Sequence, residues 1–110
     1  MTRCVLYTRG DQVVGFLCAG HAGYAEAGED IVCAAVSALT ETCVNAMESV
    51  AHVTPTVRTG PGFLAARLPR DTENRDAYLL LNGLTVGLRG IAAQYPEHFR
   101  LTSTAVSDGR

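Results

Sequence analysis

The fold is decided by residues 30–51, which read DIVCAAVSALTETCVNAMESVA. This stretch is rich in Ala and Val, which predicts one long helix over about Ile31 to Ala51. Asp30 is a good N-cap for that helix, and the helix ends before Pro55. We expect most of the helix to be buried through its apolar side chains, which are Ile31, Val32, Ala35, Val36, Ala38, Leu39, Cys43, Ala46, Met47 and Val50.

Two strands precede the helix and are predicted to form a hairpin. Met1–Arg9 alternates between two apolar faces, Gly10-Asp11 is a turn dipeptide, and Gln12–Gly20 is again rich in β-formers. Cys4 and Cys18 fall in these strands, where we expect them to fill the core.

The segment after the helix is predicted to form two more strands and a second helix. Two short strands, Thr56–Thr59 and Phe63–Leu68, surround the turn Gly60-Pro61-Gly62. Asp71 can cap a second helix over about Thr72 to Gln94, in which apolar residues recur at helical spacing.

Phe99–Val106 is the last predicted strand, which makes the element order ββαββαβ. This order predicts an α+β fold with an antiparallel or mixed sheet and two helices packed on it. The 110 residues are too few for two independent cores. We therefore expect one domain over residues 1–110.

Charge and composition exclude several functions. All nine basic residues are Arg and the net charge is −2, so a Schiff-base or P-loop lysine is excluded. No Arg-rich stretch neutralises phosphates, so we expect no direct nucleic-acid partner. Without a run of about 18 apolar residues or a signal-peptide layout, we expect no membrane contact. The predicted location is cytoplasmic, with the four cysteines as free thiols by default.

Cys33 is the first candidate for chemistry. It falls at about the third residue of the predicted helix, where unpaired N–H groups and the helix dipole favour a thiolate. Ser37, Glu41, Asn45 and Glu48 lie within about 120° to one side of it, so Cys33 heads a polar stripe. A Cys in an Ala-rich helix is often only a small buried apolar residue, and this alternative stays open.

His21 directly follows the second strand, at the edge where the next helix begins. The connecting loop would let His21 face Cys33, which is the layout of a Cys–His nucleophile pair. Asp30 would orient the imidazole or only cap the helix. Cys18-x-x-His21 resembles half of a zinc site, but a second close pair is missing, so we expect no metal and no cofactor. Cys43 is expected on the apolar side of the helix and inert.

Two ordered motifs carry a family resemblance. Residues 20–24 read GHAGY, and residues 28–37 read GEDIVCAAVS. Together they resemble the ribosomal-processing cysteine protease family Prp, which is marked by a G-H-A element followed by a D-I-V-C-A-A-V/I-S element. Both elements are complete in this chain.

The resemblance implies a cytoplasmic homodimer that removes the N-terminal extension of a large-subunit ribosomal protein, cutting after Phe-Phe. It implies Cys33 as nucleophile and His21 as general base, with Asp30 and Ser37 in supporting roles. It also implies a mobile segment that orders over the peptide and includes Gly20, Ala22, Gly23, Tyr24 and Gly28.

A pocket that accepts Phe should be apolar, and we place Ile31, Ala34 and Tyr24 in its lining. One alternative stays open beside the protease. The chain would then be a non-catalytic peptide-binding or ribosome-assembly module with the same cleft, in which Cys33 only packs.

Overall fold

The chain folds into five strands and two helices in the order ββαββαβ, which confirms the predicted α+β class. The computed structural model describes residues 1–20 and 29–107. The strands are β1 Thr2–Arg9, β2 Gln12–Ala19, β3 Thr56–Gly60, β4 Phe63–Arg67 and β5 Phe99–Ala105. The helices are α1 Glu29–Ser49 and α2 Arg75–Gln94.

The strands form one mixed sheet in the order β3-β4-β2-β1-β5. β1 and β5 are parallel, and the other neighbouring pairs are antiparallel. Both hairpins turn at glycines with positive φ, which are Gly10 at 61° and Gly62 at 81°. Glycine adopts this backbone conformation without the penalty that a Cβ brings.

Cys4 and Cys18 correct the prediction of four free thiols. They lie opposite each other in the β1–β2 register, with Cα atoms 4.1 Å apart, and are joined as a disulfide. Both are buried, which confirms their predicted place in the core. Directly opposed positions of a hairpin bring two side chains within bonding reach. Of the described cysteines, Cys33 and Cys43 carry free thiols.

The core lies between one face of the sheet and the two helices. Its largest fully buried side chains include Phe16 of β2, Met47 of α1, and Leu81 and Leu88 of α2. Burying a side chain of this size contributes about 1.5–3 kcal/mol of transfer free energy. The helices are thereby fixed on one side of the sheet.

α1 packs one stripe of its surface into the core, although by length and composition alone it could cross a membrane. The segment Asp30–Ser49 has a mean hydropathy of 1.2. Val32, Val36 and Met47 are nonetheless almost fully buried inside the domain. The prediction that the apolar side chains of this helix are buried is wrong at Ile31 and Val50, which are 61% and 63% exposed, and at Ala38, which is also exposed. Only one stripe of α1 faces the core.

Both helices begin at residues other than the predicted ones. Asp30 is the second residue of α1 and so is not its N-cap. α2 begins at Arg75, and Asn74 rather than Asp71 is its N-cap. The Asn74 side-chain oxygen accepts a hydrogen bond from the Ala77 amide at 3.0 Å, which satisfies an otherwise unpaired donor of the first turn.

Candidate functional site

A cavity of about 360 Å³ lies beside the sulfur of Cys33. One wall comes from the polar stripe of α1, with Ser37 and Glu41. The opposite wall comes from the hairpin of β3 and β4, with Thr59 and Phe63. The cavity therefore offers a half-buried sulfur to a ligand that enters between α1 and this hairpin.

The hydroxyl of Thr2 is the described polar group placed against that sulfur. Thr2 Oγ1 lies 3.1 Å from Cys33 Sγ, and either atom can donate. Thr2 is only 3% exposed, and its amide donates to the carbonyl of His98 at 3.1 Å, where β1 meets the start of β5. Backbone pairing between β1 and the start of β5 therefore holds Thr2 in place. A hydroxyl that donates to sulfur stabilises its anionic form.

Gly20 closes the site from a third side. A Cβ at this position would lie 2.7 Å from Cys33 Sγ and 3.3 Å from Thr2 Oγ1. The Gly20 amide also donates to the carbonyl of Gly62 at 2.8 Å, which ties the end of β2 to the hairpin wall. Glycine is therefore required here by the sulfur. This is a physical reason for the first residue of the G-H-A motif.

The predicted polar stripe of α1 is confirmed. Ser37, Glu41, Asn45 and Glu48 are all exposed, and Cys33 at their head is half-buried. Cys33 is the fifth residue of α1 and not about the third as predicted. Helical pairing then engages its amide one turn back, and the effect of the dipole fades beyond the first turn. The Thr2 hydroxyl is therefore better placed than the start of the helix to stabilise a thiolate at Cys33.

Several predicted site residues lie outside the described residues. These are His21 and four members of the predicted substrate segment, which are Ala22, Gly23, Tyr24 and Gly28. Ile31 and Ala34, which were predicted as pocket walls, are described and are not among the residues that line this cavity. Among the described residues, the apolar lining comes instead from Val36, Phe63 and Leu64.

The sulfur atoms of the other three cysteines are not available as nucleophiles or metal ligands. Cys18 borders the cavity, but its sulfur is bonded to Cys4. Cys43 is buried, its sulfur lies 3.8 Å from the carbonyl of Leu80, and burial raises the pKa of its thiol to about 11. Within residues 1–20 and 29–107, no group of His, Cys, Asp and Glu is arranged to hold a metal ion.

Sequence reasoning found Cys33, Ser37 and Gly20 but missed Thr2 and the hairpin wall. Thr2 is separated from Cys33 by 31 residues and reaches it through the pairing of the strands. The signal for the wall was the turn Gly60-Pro61-Gly62 after β3, where the Gly62 carbonyl accepts the hydrogen bond from the Gly20 amide.

Comparison with known proteins shows the family of this chain. The sequence model of the family "Cysteine protease Prp" matches residues 1–100. The ribosomal processing cysteine protease Prp of Bacillus subtilis (strain 168) is 34% identical over 99 residues, covering 86% of this chain and 88% of the relative.

Solved structures give the same result. Prp from S. aureus in complex with a substrate peptide has a TM-score of 0.87 and 30% identity, covering 94% of this chain and 100% of that one. Prp from S. aureus with a covalently linked product peptide has a TM-score of 0.82 and 31% identity, at the same coverage. The chain belongs to the cysteine protease Prp family, whose named members are ribosomal processing proteases.

Proposed function

We propose that this chain is an endopeptidase whose nucleophile is the sulfur of Cys33 and whose general base is His21. The observation that carries the proposal is the placement of Cys33. Its half-buried sulfur borders an open cavity, lies 3.1 Å from the Thr2 hydroxyl oxygen, and falls within residues 1–100, which the family model matches. Asp30 and Ser37 are proposed as supporting residues, and Ser37 lines the cavity one turn beyond Cys33.

The reaction then follows the chemistry of a thiol nucleophile. His21 takes the proton of Cys33, and the thiolate attacks the scissile carbonyl carbon to give a tetrahedral oxyanion. The C–N bond breaks, the leaving amine takes its proton from His21, and a thioester remains on Cys33. Water then hydrolyses the thioester and restores the thiol. The proposed catalytic unit is a single domain over residues 1–110.

The proposed substrate is the N-terminal extension of a large-subunit ribosomal protein, cut after Phe-Phe. Support comes from the apolar part of the cavity wall, where Val36, Phe63 and Leu64 can receive an aromatic side chain. Phe63 is 38% exposed and so presents its ring to an entering peptide. The curated relatives are named for ribosomal processing, which agrees with a cytoplasmic location.

The active form is proposed to be a homodimer that pairs through α2. Leu79 and Val86 lie on the outer side of this helix and are 57% and 70% exposed. Gly83 lies between them in the helix, with nothing within 4 Å of a Cβ built on it, so a second helix can approach closely. Light scattering should give twice the mass of one chain for the wild type and the mass of one chain for Leu79→Glu/Val86→Glu.

The proposed function is tested with a synthetic peptide that carries an apolar stretch ending in Phe-Phe-Ala, with products read by mass spectrometry. The wild type should cut after Phe-Phe, whereas Cys33→Ala and His21→Ala should not. Cys43→Ala is the matched control, because it removes the other described free thiol, and it should still cut. Peptide binding without cleavage by the folded wild type would instead favour the non-catalytic binding module.

A further inference from the structure

The face of the sheet that is turned away from α1 and α2 is charged in a distinctive way. Its members are set by strand register, since paired positions on neighbouring strands project to the same side. They are Arg3, Val5 and Tyr7 of β1, Gly15, Leu17 and Ala19 of β2, Thr56, Arg58 and Gly60 of β3, Phe63, Ala65 and Arg67 of β4, and Arg100, Thr102 and Thr104 of β5. We name this surface the open face.

The open face is cationic although the chain is acidic overall. It carries four arginines, and the five strands contain no Asp or Glu at all. α1, on the opposite side of the sheet, contains four acidic residues and no basic one. The net charge of −2 therefore conceals a molecule with one positive and one negative side.

Two of these arginines are held side by side. Arg3 of β1 and Arg100 of β5 are register partners on adjacent strands, and both are exposed. Like charges in this position repel each other, and neither has an ion-pair partner among the described residues. An anion placed between them would relieve that repulsion.

The other two arginines border a shallow apolar depression of about 450 Å³. Arg58 and Arg67 stand at its rim, and the rings of Tyr7 and Phe63 form part of its lining. The Arg67 guanidinium lies 4.9 Å from the centre of the Tyr7 ring. β3 lies three strand spacings from β1, so Arg58 lies about 14 Å across the sheet from Arg3.

We propose that the open face binds single-stranded nucleic acid, with its arginines on phosphates and its aromatic rings under bases. Spaced cations alone would suit any polyanion. What favours bases is the pair of aromatic rings that line the depression, the 38% exposed ring of Phe63 and the half-buried ring of Tyr7 under the Arg67 guanidinium, because stacking needs a planar partner. The prediction of no nucleic-acid partner rested on the absence of a stretch rich in basic residues, and the chain has no such stretch. Strand alternation instead gathers four separated arginines onto one surface.

The test measures binding of a fluorescein-labelled uridine dodecamer by anisotropy, from about 50 to 200 mM salt. The wild type should bind, with a slope of log K against log salt of about −2.8 for four phosphate contacts. Arg58→Gln/Arg67→Gln should weaken binding at least about tenfold and reduce that slope by about 1.4. Tyr7→Leu should weaken binding and leave the slope unchanged, because stacking releases no counterions.

The matched control is Arg75→Gln/Arg89→Gln, which removes two positive charges from α2 and should bind RNA like the wild type. Both double variants should still cut the Phe-Phe-Ala peptide, which shows that they are folded and keeps this proposal separate from the proposed function. Three results would overturn the proposal. They are no binding by the wild type at the lowest salt, equal loss in the control, and displacement by polyglutamate as effective as by unlabelled RNA.

Discussion

The hydroxyl oxygen of Thr2 lies 3.1 Å from the sulfur of Cys33, across 31 residues of chain. The first position of β1 and the first part of α1 meet only because the sheet places β1 between β2 and β5. Gly20 at the end of β2 leaves the room that both atoms need. The sulfur therefore lies where three separate elements of the fold converge.

Removing the Thr2 hydroxyl should slow the chemistry at Cys33. Thr2→Val keeps the shape of the side chain but removes a charge-assisted hydrogen bond, which contributes about 1.5–3 kcal/mol. We expect kcat to fall at least about tenfold and alkylation of Cys33 at neutral pH to slow by a similar factor. Thr2→Ser should recover most of both rates. Unchanged alkylation in Thr2→Val would show that the contact is only packing.

A side chain at Gly20 should disable the site more than the fold. Gly20→Ala places a Cβ 2.7 Å from Cys33 Sγ, so the sulfur or the end of β2 must move. A displacement of this size costs on the order of tenfold to hundredfold in rate. Two controls separate activity from stability, and both are measured as peptide cleavage beside the denaturation midpoint.

The first control is Gly15→Ala, whose Cβ would lie 2.6 Å from the Ala66 carbonyl oxygen. It should lower stability by about 1–3 kcal/mol but keep the activity of the folded fraction. The second is Gly90→Ala in α2, where a Cβ has nothing within 4 Å. It should raise stability by about 0.5–1 kcal/mol. Equal activity in Gly20→Ala and Gly90→Ala would contradict the assigned contact.

Burial of Cys43 predicts a loss of stability in alkaline solution. Its thiol has a pKa raised from 9.0 to about 11, and the cause is desolvation. The unfolded chain therefore releases this proton at lower pH than the folded one, and rising pH favours unfolding. The contribution is fully present below pH 9 and is lost as pH rises through about 11. Denaturation of Cys43→Ala should show a shallower decline over this range than the wild type does.

The disulfide between Cys4 and Cys18 should stabilise the domain mainly by restricting the unfolded chain. It closes a loop with a sequence separation of 14, for which the chain-entropy treatment gives about 3 kcal/mol. Urea denaturation with and without reductant should differ by a free energy of this order. Cys4→Ala/Cys18→Ala should show no difference between the two conditions. In the native oxidised protein, a thiol reagent should modify Cys33 first.

Local patterns were sufficient for the element order and for the polar side of α1 that carries Cys33. Alternation located the strands, helical spacing located α2, and the polar stripe led from Cys33 to Ser37. The errors arose where a boundary depends on a single hydrogen bond. Asp71 and Asn74 are both suitable caps by type, and the structure selects Asn74, whose amide group also donates to the Ala51 carbonyl at 2.9 Å.

Contacts between distant strands were not predictable from these patterns. The disulfide needs the register that sets Cys4 against Cys18, and the Thr2 contact needs the position of α1 over the edge of β1. The prediction of free thiols was wrong for Cys4 and Cys18. A reducing compartment expected from the sequence does not determine how close the fold brings two cysteine sulfurs. The cationic open face likewise depends on alternation in five strands at once.

The most direct test of the central claim is labelling with a peptide vinyl sulfone that ends in Phe-Phe, followed by mass mapping. The account predicts one label per chain on Cys33, protection by the uncut peptide, and much slower labelling in His21→Ala. Cys43 should stay unlabelled while the protein is folded, because it is buried and protonated at neutral pH. Labelling of Cys43 at the same rate as Cys33, or cleavage of the peptide by Cys33→Ala, would contradict the account.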